Sequence, residues 1–446
     1  MDLNTQIVIY LFIYFTFIVW YSIFISRKQS KEDFLISSRN RNWFSIWMSK
    51  YATSIWAAWF ITYTAYIYEF GLGVFSVVIW YIVAMFILAF YIAPKLHKIS
   101  KKEKFLKIWD IVFFKTKSKL VESISNISST LILFVWLLVV VVWWANLISY
   151  FGILSYEVSL LSILAVVWVY LYFIWYKWVV TTDILQSSII VLVLFVVSYY
   201  LFNKSDLTIL ADVEFKEISI WTAVGFLIYG IFSTFSFIDR YQLMFSWADE
   251  KNIKRWFLFV VPLMLFTVLL LLIVWFFVKN EIAGLDPSFV FLKAIELYVP
   301  QTFIPIAMVM FFAAVMSSID SYIYWISSHI NFLKIKDKIK NVRINALITV
   351  ILSFIFAYFI RNIIDITVFA AGFSLILSIP MIYLFWGKNF ETKQKGVSRF
   401  IFSFIFSIIG LIVWISIFWL TPTIALFPIL FGGIGLFINL EKINNA

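Results

Sequence analysis

The chain has 446 residues, of which 63% are hydrophobic and 13% are charged. A soluble domain is about 45–50% apolar and about 25% charged, so this composition excludes a soluble enzyme or binding module, and the absence of cysteine excludes disulfides, thiolate metal sites and a cysteine nucleophile. The net charge of +11 comes from basic residues between apolar runs, which predicts a membrane topology signal and no nucleic-acid partner.

A membrane helix needs about 20 consecutive apolar residues, and thirteen runs meet or approach that length. In chain order the predicted spans are 5–25, 44–69, 72–93, 121–150, 153–175, 179–202, 219–245, 256–278, 302–331, 341–360, 364–386, 400–419 and 423–440. The first run lacks a small-residue cleavage site, so we expect it to be retained as a helix. The longest loop, 94–120, is basic and predicts a short amphipathic helix.

The basic residues alternate between the two sides of this arrangement. If successive spans cross the membrane in opposite directions, every second loop lies on the same side. The loops of one side then contain 28 of the 35 Lys and Arg residues. Cytoplasmic loops carry the excess of Lys and Arg in membrane proteins. The sequence therefore predicts a multi-pass protein of the cell (inner) membrane, with the N-terminus outside and the C-terminus in the cytoplasm.

Ionisable residues inside spans are functional candidates because burying them in lipid is costly. Five are found here, and they are Lys50, Asp183, Asp239, Arg240 and Asp320. They do not group into a catalytic dyad or a carboxylate metal cluster, so the sequence predicts no enzyme. The default interpretation of Arg240 is that it forms an ion pair with the adjacent Asp239.

Two hydroxyl residues, Ser317 and Ser318, lie near the midpoint of the ninth span, and the second span is centred on 52–56. Two hydroxyls together with carbonyls of an unwound helix form a neutral oxygen cage, which suits a hard monovalent cation such as sodium. The alternative is that the serines only pack between helices or bond back to their own helix. Spacing alone favours that alternative.

The stretch 313–321, AAVMSSIDS, resembles the A-A-x-x-S-[ST]-x-x-S signature of the sodium:solute symporter family. The stretch 175–186, which contains Thr182, Asp183 and Gln186, is similar to the family's T-D-x-x-Q motif. Weaker similarities follow at 239–242, 248–255 and 37–43. The resemblance covers nearly the whole chain.

The resemblance implies an all-α, LeuT-like fold with a five-plus-five inverted-repeat core. Spans two to eleven, about 44–386, would form this core, with one helix before it and two after, in a single transmembrane transporter domain over 1–446. The resemblance also implies sodium as the coupling ion. Its ligands would be the carbonyl groups of Ala52, Ile55 and Ala314 and the hydroxyl groups of Ser317 and Ser318.

Asp183 matches a family aspartate that would attract sodium as the ion leaves inward, the alternative being a helix-end acid paired with a loop base such as Lys177. Three positions on the second span, Ser54, Trp56 and Trp59, fall near the family's substrate. The function implied is sodium-coupled symport of a small organic solute or anion by alternating access. The alternatives are a non-transporting membrane sensor with this fold, and a proton-coupled or exchange transporter. The sequence specifies neither the solute nor the oligomeric state.

Tryptophan is unusually common, with 21 residues against 13 glycines. Five tryptophans stand where relatives in this family commonly have glycine, and they are Trp56, Trp80, Trp109, Trp175 and Trp256. One hypothesis is that the source organism reads UGA as glycine and that these codons were translated as tryptophan. The alternative is a lineage with unusually aromatic helices. A UGG codon at position 56 would exclude the first explanation.

Overall fold

The computed structural model describes residues 1–25, 44, 47–49, 51, 62–105, 108–173, 176–204, 218–237, 240–241, 250–281, 284–330, 337–386 and 393–438. Within these residues the regular structure is helical throughout. The α-helices are α1 Leu3–Ile25, α2 Thr64–Phe70, α3 Phe75–Ile87, α4 Ala93–Glu103, α5 Ile108–Thr116, α6 Lys119–Tyr150, α7 Tyr156–Phe173, α8 Tyr176–Lys204, α9 Ile220–Ser233, α10 Glu250–Glu281, α11 Val290–Tyr298, α12 Ile304–His329, α13 Lys338–Phe359, α14 Ile363–Ser374, α15 Ser378–Trp386, α16 Lys393–Phe418 and α17 Leu426–Gly435.

The predicted all-α membrane fold is confirmed. In the described part of the chain, nine helical stretches are long and apolar enough to cross a membrane, and three shorter apolar helices accompany them. These twelve stretches coincide with twelve of the thirteen predicted spans. Half of the second span, 44–69, including its centre at 52–61, lies outside the described residues, so the count of thirteen stays a prediction.

The third span extends further than the sequence predicted. Helix α3 continues through a π-turn at Leu88–Ile92 into α4, which has a proline in its first turn and ends at Glu103. Proline lacks the N–H that a continuous helix would use, and the π-turn directly before it is a local adjustment that accommodates this loss. The basic segment 94–120 therefore contains the end of this long helix and the separate helix α5, where a single short helix was expected.

The described residues divide into two compact units. The first comprises 1–72, 136–217 and 258–364, and the second comprises 73–135, 218–257 and 365–446. The single domain over 1–446 stays a prediction.

In the first unit, α12 packs against α1, α7, α8 and α13. Residues 308–327 of α12 are mostly apolar and nearly all are buried, including the ionisable Asp320, as expected for a helix surrounded by other helices. Helices α7 and α13 occupy the fourth place in each predicted repeat, and they contact each other here. This pairing agrees with the implied inverted repeat.

In the second unit, glycines bring helices into close contact. A side-chain carbon added at Gly435 of α17 would lie 2.6 Å from the carbonyl oxygen of Phe402 in α16. The hydroxyl of Ser403 donates to the carbonyl of Gly432 at 2.8 Å, and that of Ser407 donates to the carbonyl of Pro428 at 2.9 Å. Small residues are the usual means of helix association in lipid, where no hydrophobic force drives it.

The substitution Gly435→Ala is expected to separate α16 from α17 and to destabilise the protein by about 1–3 kcal/mol, the usual cost of overpacking. The matched control is Gly433→Ala, because a side-chain carbon at Gly433 meets no atom within 4 Å. Thermal unfolding in detergent should show a lower midpoint for Gly435→Ala only. Equal midpoints for the two variants would contradict this packing.

The seventh predicted span, 219–245, is broken. Helix α9 ends at Ser233, a turn follows at 234–236, and the described residues 240–241 are again helical. The hydroxyl of Tyr241 donates to the carbonyl of Phe235 at 2.8 Å, and the hydroxyl of Ser378 donates to the carbonyl of Phe232 at 2.9 Å. These side chains pair carbonyl groups that a continuous helix would have used itself.

Contacts between loops agree with the predicted alternation of spans. Arg361 and Glu157 form an ion pair at 2.6 Å, and the hydroxyl of Tyr150 donates to Glu296 at 3.1 Å. The charge pattern had placed all four residues on one side of the membrane. Lys293, 2.8 Å from Glu296, lowers the pKa of Glu296, with a further contribution from Tyr150.

On the other predicted side, Lys115 of α5 donates to the carbonyl of Leu384 in α15 at 2.9 Å. Burial, followed by the positive charge of Lys95, lowers the pKa of Lys115. The amide of Asn345 donates to the carbonyl of Ser327 at 3.1 Å, which joins the start of α13 to the end of α12. Each contact joins segments that the alternation assigns to the same side.

Of the five tryptophans in the glycine hypothesis, the described residues include Trp80, Trp109 and Trp256, and Trp56 and Trp175 lie outside them. The Trp109 side chain is buried, and within the described part of the chain its indole N–H has no hydrogen-bond partner. The same holds for tryptophans outside the hypothesis, namely Trp143, Trp144 and Trp414. This feature therefore does not separate the two explanations, and the hypothesis stays a prediction.

Candidate functional site

A buried carboxylate lies within the first unit. Asp183 is about two turns inside α8, and its side chain is 0% exposed. The interpretation as a helix-end acid does not fit this position. A carboxylate here is removed from solvent and needs hydrogen bonds or a cation to compensate its charge.

Two serines from different segments supply hydrogen bonds to this carboxylate. The hydroxyl of Ser49 donates to Oδ2 of Asp183 at 2.6 Å, and the hydroxyl of Ser317 donates to Oδ1 at 2.7 Å. Ser49 and Ser317 are each 134 residues from Asp183 in sequence, on opposite sides of it. Asp183 therefore joins α8, α12 and the start of the second predicted span.

The two serines of the family motif behave differently. Ser317 reaches across to α8, whereas the hydroxyl of Ser318 donates back to the carbonyl of Ala314 on its own helix at 3.2 Å. The back-bonded alternative considered from the sequence thus describes Ser318 but not Ser317. Three of the predicted sodium ligands, Ala314, Ser317 and Ser318, lie within a single helical turn and are buried.

Further polar residues surround this cluster. The hydroxyl of Tyr14 on α1 and the side-chain amide of Gln186 on α8 are buried, and neither has a hydrogen-bond partner among the described residues. The hydroxyl of Ser187 donates to the carbonyl of Met48 at 2.6 Å, which attaches the start of the second span to α8. Helix α1, outside the predicted repeat core, packs against α12 through the contact of the Tyr14 ring with the Phe312 ring.

The remaining predicted site residues lie outside the described residues. These are the proposed sodium ligands Ala52 and Ile55 and the substrate-near positions Ser54, Trp56 and Trp59. Of the two expected faces of the sodium site, the structure describes only the one on α12.

The donors present are suited to a hard cation. The cluster offers the carboxylate of Asp183, the hydroxyls of Ser49, Ser317 and Ser318, and the carbonyl of Ala314. Oxygen-only donor sets favour hard cations over transition metals, which prefer nitrogen or sulfur ligands. Among the described residues, no group of three or more His, Cys, Asp or Glu side chains could hold a metal ion.

The sequence had not assigned roles to Ser49, Tyr14, Gln186 or Ser187. Gln186 belongs to the T-D-x-x-Q motif and lies one turn beyond Asp183, so that spacing could have placed it on the same helix face. Ser49 and Tyr14 had no such signal, because their contacts depend on how distant segments pack.

Comparison with known proteins gives matches at the level of sequence. The model of the sodium:solute symporter family matches residues 34–209. The sodium/pantothenate symporter of Haemophilus influenzae is 25% identical over 193 residues, which are 42% of this chain and 40% of that symporter. The match thus spans less than half of the curated relative.

The fold matches over a longer range. A Na⁺-coupled sialic acid symporter in a substrate-bound, outward-open state superposes with a TM-score of 0.80 at 15% identity, covering 100% of this chain and 98% of the other. The family-model match confirms the resemblance to the sodium:solute symporter family over residues 34–209. A nucleobase-cation-symport-1 family transporter in a closed conformation also superposes, with a TM-score of 0.56 at 11% identity, covering 93% and 95%. At these identities the two structures establish the symporter fold alone.

Proposed function

We propose that this chain is a sodium-coupled symporter that imports a small solute by alternating access. The observation that carries the proposal is the 2.7 Å hydrogen bond from Ser317 to Asp183, which joins the motif serine of α12 to a buried carboxylate on α8. A membrane-buried carboxylate surrounded by hydroxyls is a suitable site for one monovalent cation.

In this proposal sodium is cotransported cargo. The carboxylate of Asp183 supplies the attraction, and the hydroxyls of Ser317 and Ser318 and the carbonyl of Ala314 replace water around the ion. The carbonyls of Ala52 and Ile55 complete the set from the second span. Ser54, Trp56 and Trp59 line the solute position on that span.

The driving force for such a transporter is large enough. Moving one elementary charge through 100 mV releases about 2.3 kcal/mol. Because about 1.4 kcal/mol corresponds to a tenfold ratio, one sodium ion carried with a neutral solute supports roughly fiftyfold accumulation before any sodium gradient is added. A monoanionic solute carried with one sodium ion moves no net charge, and the sodium gradient alone then drives its accumulation.

Uptake by proteoliposomes tests this function. Purified protein is reconstituted, and a solute identified by thermal-shift screening is offered with and without an inward sodium gradient. Uptake that requires sodium supports symport. Equal uptake in both conditions would indicate proton coupling or exchange instead, and binding without any transport would favour the sensor.

We also infer that the protein resides in the cell (inner) membrane with its N-terminus outside and its C-terminus in the cytoplasm. The chain contains no cysteine, so single cysteines can report accessibility without background. Gln301→Cys is expected to react with a membrane-impermeant maleimide in intact cells, because the loop 279–301 is predicted to be external. Lys102→Cys is expected to react only after permeabilisation. The reverse labelling would invert the orientation.

A further inference from the structure

A second buried charge lies in the second unit, past the break in the seventh predicted span. Arg240 is 9% exposed, and its guanidinium lies 4.9 Å from the ring centre of Tyr81 and 4.6 Å from that of Phe237. Two aromatic faces thus hold the guanidinium by cation–π contact. A charged side chain in this position is expensive and calls for a partner.

Part of the hydrogen-bonding capacity of Arg240 is unused among the described residues, and Asp239, its partner expected from the sequence, lies outside them. In the part of the chain that the structure describes, neither Nε nor Nη1 of Arg240 has a hydrogen-bond partner. Together these two atoms carry three N–H bonds. The hydroxyl of Thr234, in the turn at the break, is fully buried and likewise has no partner among the described residues.

The break itself does not satisfy Arg240. The exposed carbonyls of a broken helix are natural acceptors for a guanidinium, but the carbonyl of Phe235 accepts from Tyr241, and that of Phe232 accepts from Ser378. The hydroxyl of Ser236 is 2.6 Å from that of Ser378. Among the described residues, these polar groups are paired with one another and not with Nε or Nη1 of Arg240.

We propose that Arg240 recognises an anion, and that this anion is the carboxylate of a small organic solute. The planar guanidinium fits a carboxylate through parallel N–H donors. A monoanion balances the single positive charge, whereas a phosphate dianion would leave an unpaired negative charge inside the membrane. The binding of a carboxylate at Arg240 does not depend on the proposed transport function. The inference rests on that function only where it identifies the bound carboxylate as the transported solute.

Binding in detergent tests the site without requiring transport. The thermal unfolding midpoint is measured at constant sodium concentration with acetate, lactate, pyruvate and benzoate, and with the amide of each acid as an uncharged counterpart. Chloride and inorganic phosphate are included as simple anions. The variants are Arg240→Gln and Arg240→Lys, and the control is Arg343→Gln, whose guanidinium also lies over a ring, 4.7 Å from the centre of Tyr172.

We expect at least one carboxylate to raise the midpoint of the wild-type protein while its amide does not. Arg240→Gln should weaken that binding at least tenfold, and Arg343→Gln should change it less than twofold. Arg240→Lys keeps the charge but loses the planar donors, so it should retain part of the affinity. If Arg240→Gln fails to fold, Arg240→Lys still reports on the site.

Three outcomes would overturn the proposal. The first is a panel in which no carboxylate binds, or in which chloride or phosphate binds as well as the best carboxylate. The second is binding that survives Arg240→Gln. The third is carboxylate binding by the Asp239→Asn variant but not by the wild-type protein. That result would mean that Asp239 neutralises Arg240 in the wild-type protein.

The proposed function fails separately from this site. Carboxylate binding that depends on Arg240, with no sodium-dependent uptake, would refute symport and leave the anion site standing. Sodium-dependent uptake of a neutral solute, with no carboxylate binding, would leave symport standing and refute the anion site.

Discussion

Asp183→Asn is expected to abolish sodium-driven uptake. Asparagine has nearly the same size and can still accept a hydrogen bond from Ser49 or Ser317, so the packing of α8 against α12 should survive. The negative charge is lost. At an effective dielectric constant of about 20, two unit charges 4 Å apart attract by about 4 kcal/mol, which corresponds to roughly 1,000-fold in apparent sodium affinity.

Sodium-dependent uptake and sodium-induced thermal stabilisation should both be measured for Asp183→Asn. Asp110→Asn is the control, because Asp110 lies on α5 in the basic segment outside the predicted spans. It loses the same charge and should keep wild-type sodium dependence. Unchanged sodium affinity in Asp183→Asn would remove the carboxylate from the proposed cation site.

Ser317→Ala should weaken apparent sodium affinity by roughly 10- to 150-fold. The substitution removes the hydroxyl that bonds to Asp183, and a hydrogen bond to a charged group contributes about 1.5–3 kcal/mol. Because Ser318 bonds back to Ala314, we expect Ser318→Ala to have a smaller effect. The sodium dependence of uptake, fitted for each variant, provides the measurement.

The matched control for Ser317→Ala is Ser327→Ala. Ser327 is a buried serine on the same helix, and its hydroxyl bonds back to the carbonyl of Ile323. This substitution removes a hydroxyl of equal size without affecting the contact between α8 and α12, so sodium affinity should be unchanged. Equal losses in Ser317→Ala and Ser327→Ala would indicate a general packing effect.

Much of the fold could be predicted from apolar runs, because a membrane-spanning helix requires a length that hydropathy detects. The long helices α6 and α12 match their predicted spans closely. The break after Ser233 could not be predicted in this way. The sequence there, Ser-Thr-Phe-Ser, has neither the glycine nor the proline that usually marks an interruption, and the pairing of its carbonyls depends on Ser378 from a distant helix.

The candidate site was only partly predictable. Their polarity inside apolar spans singled out Asp183, Ser317 and Ser318, and the family motifs then implied their roles, which come from relatives and not from spacing. The direction of each hydroxyl could not be predicted, because a serine in a helix can bond either to its own backbone or to a neighbouring helix. The contact of Ser49 with Asp183 likewise depends on tertiary packing between segments 134 residues apart.

The burial of α12 has a consequence for how the protein responds to its lipid. In the most apolar part of α12, 89% of the residues are buried, compared with 17% for α1 and 33% for α13 in the same unit. Acyl chains of different length therefore act first on the outer helices, which can tilt to match the bilayer thickness. The helix that carries Ser317 is shielded from that strain, so we expect sodium affinity to vary little among membranes of different thickness.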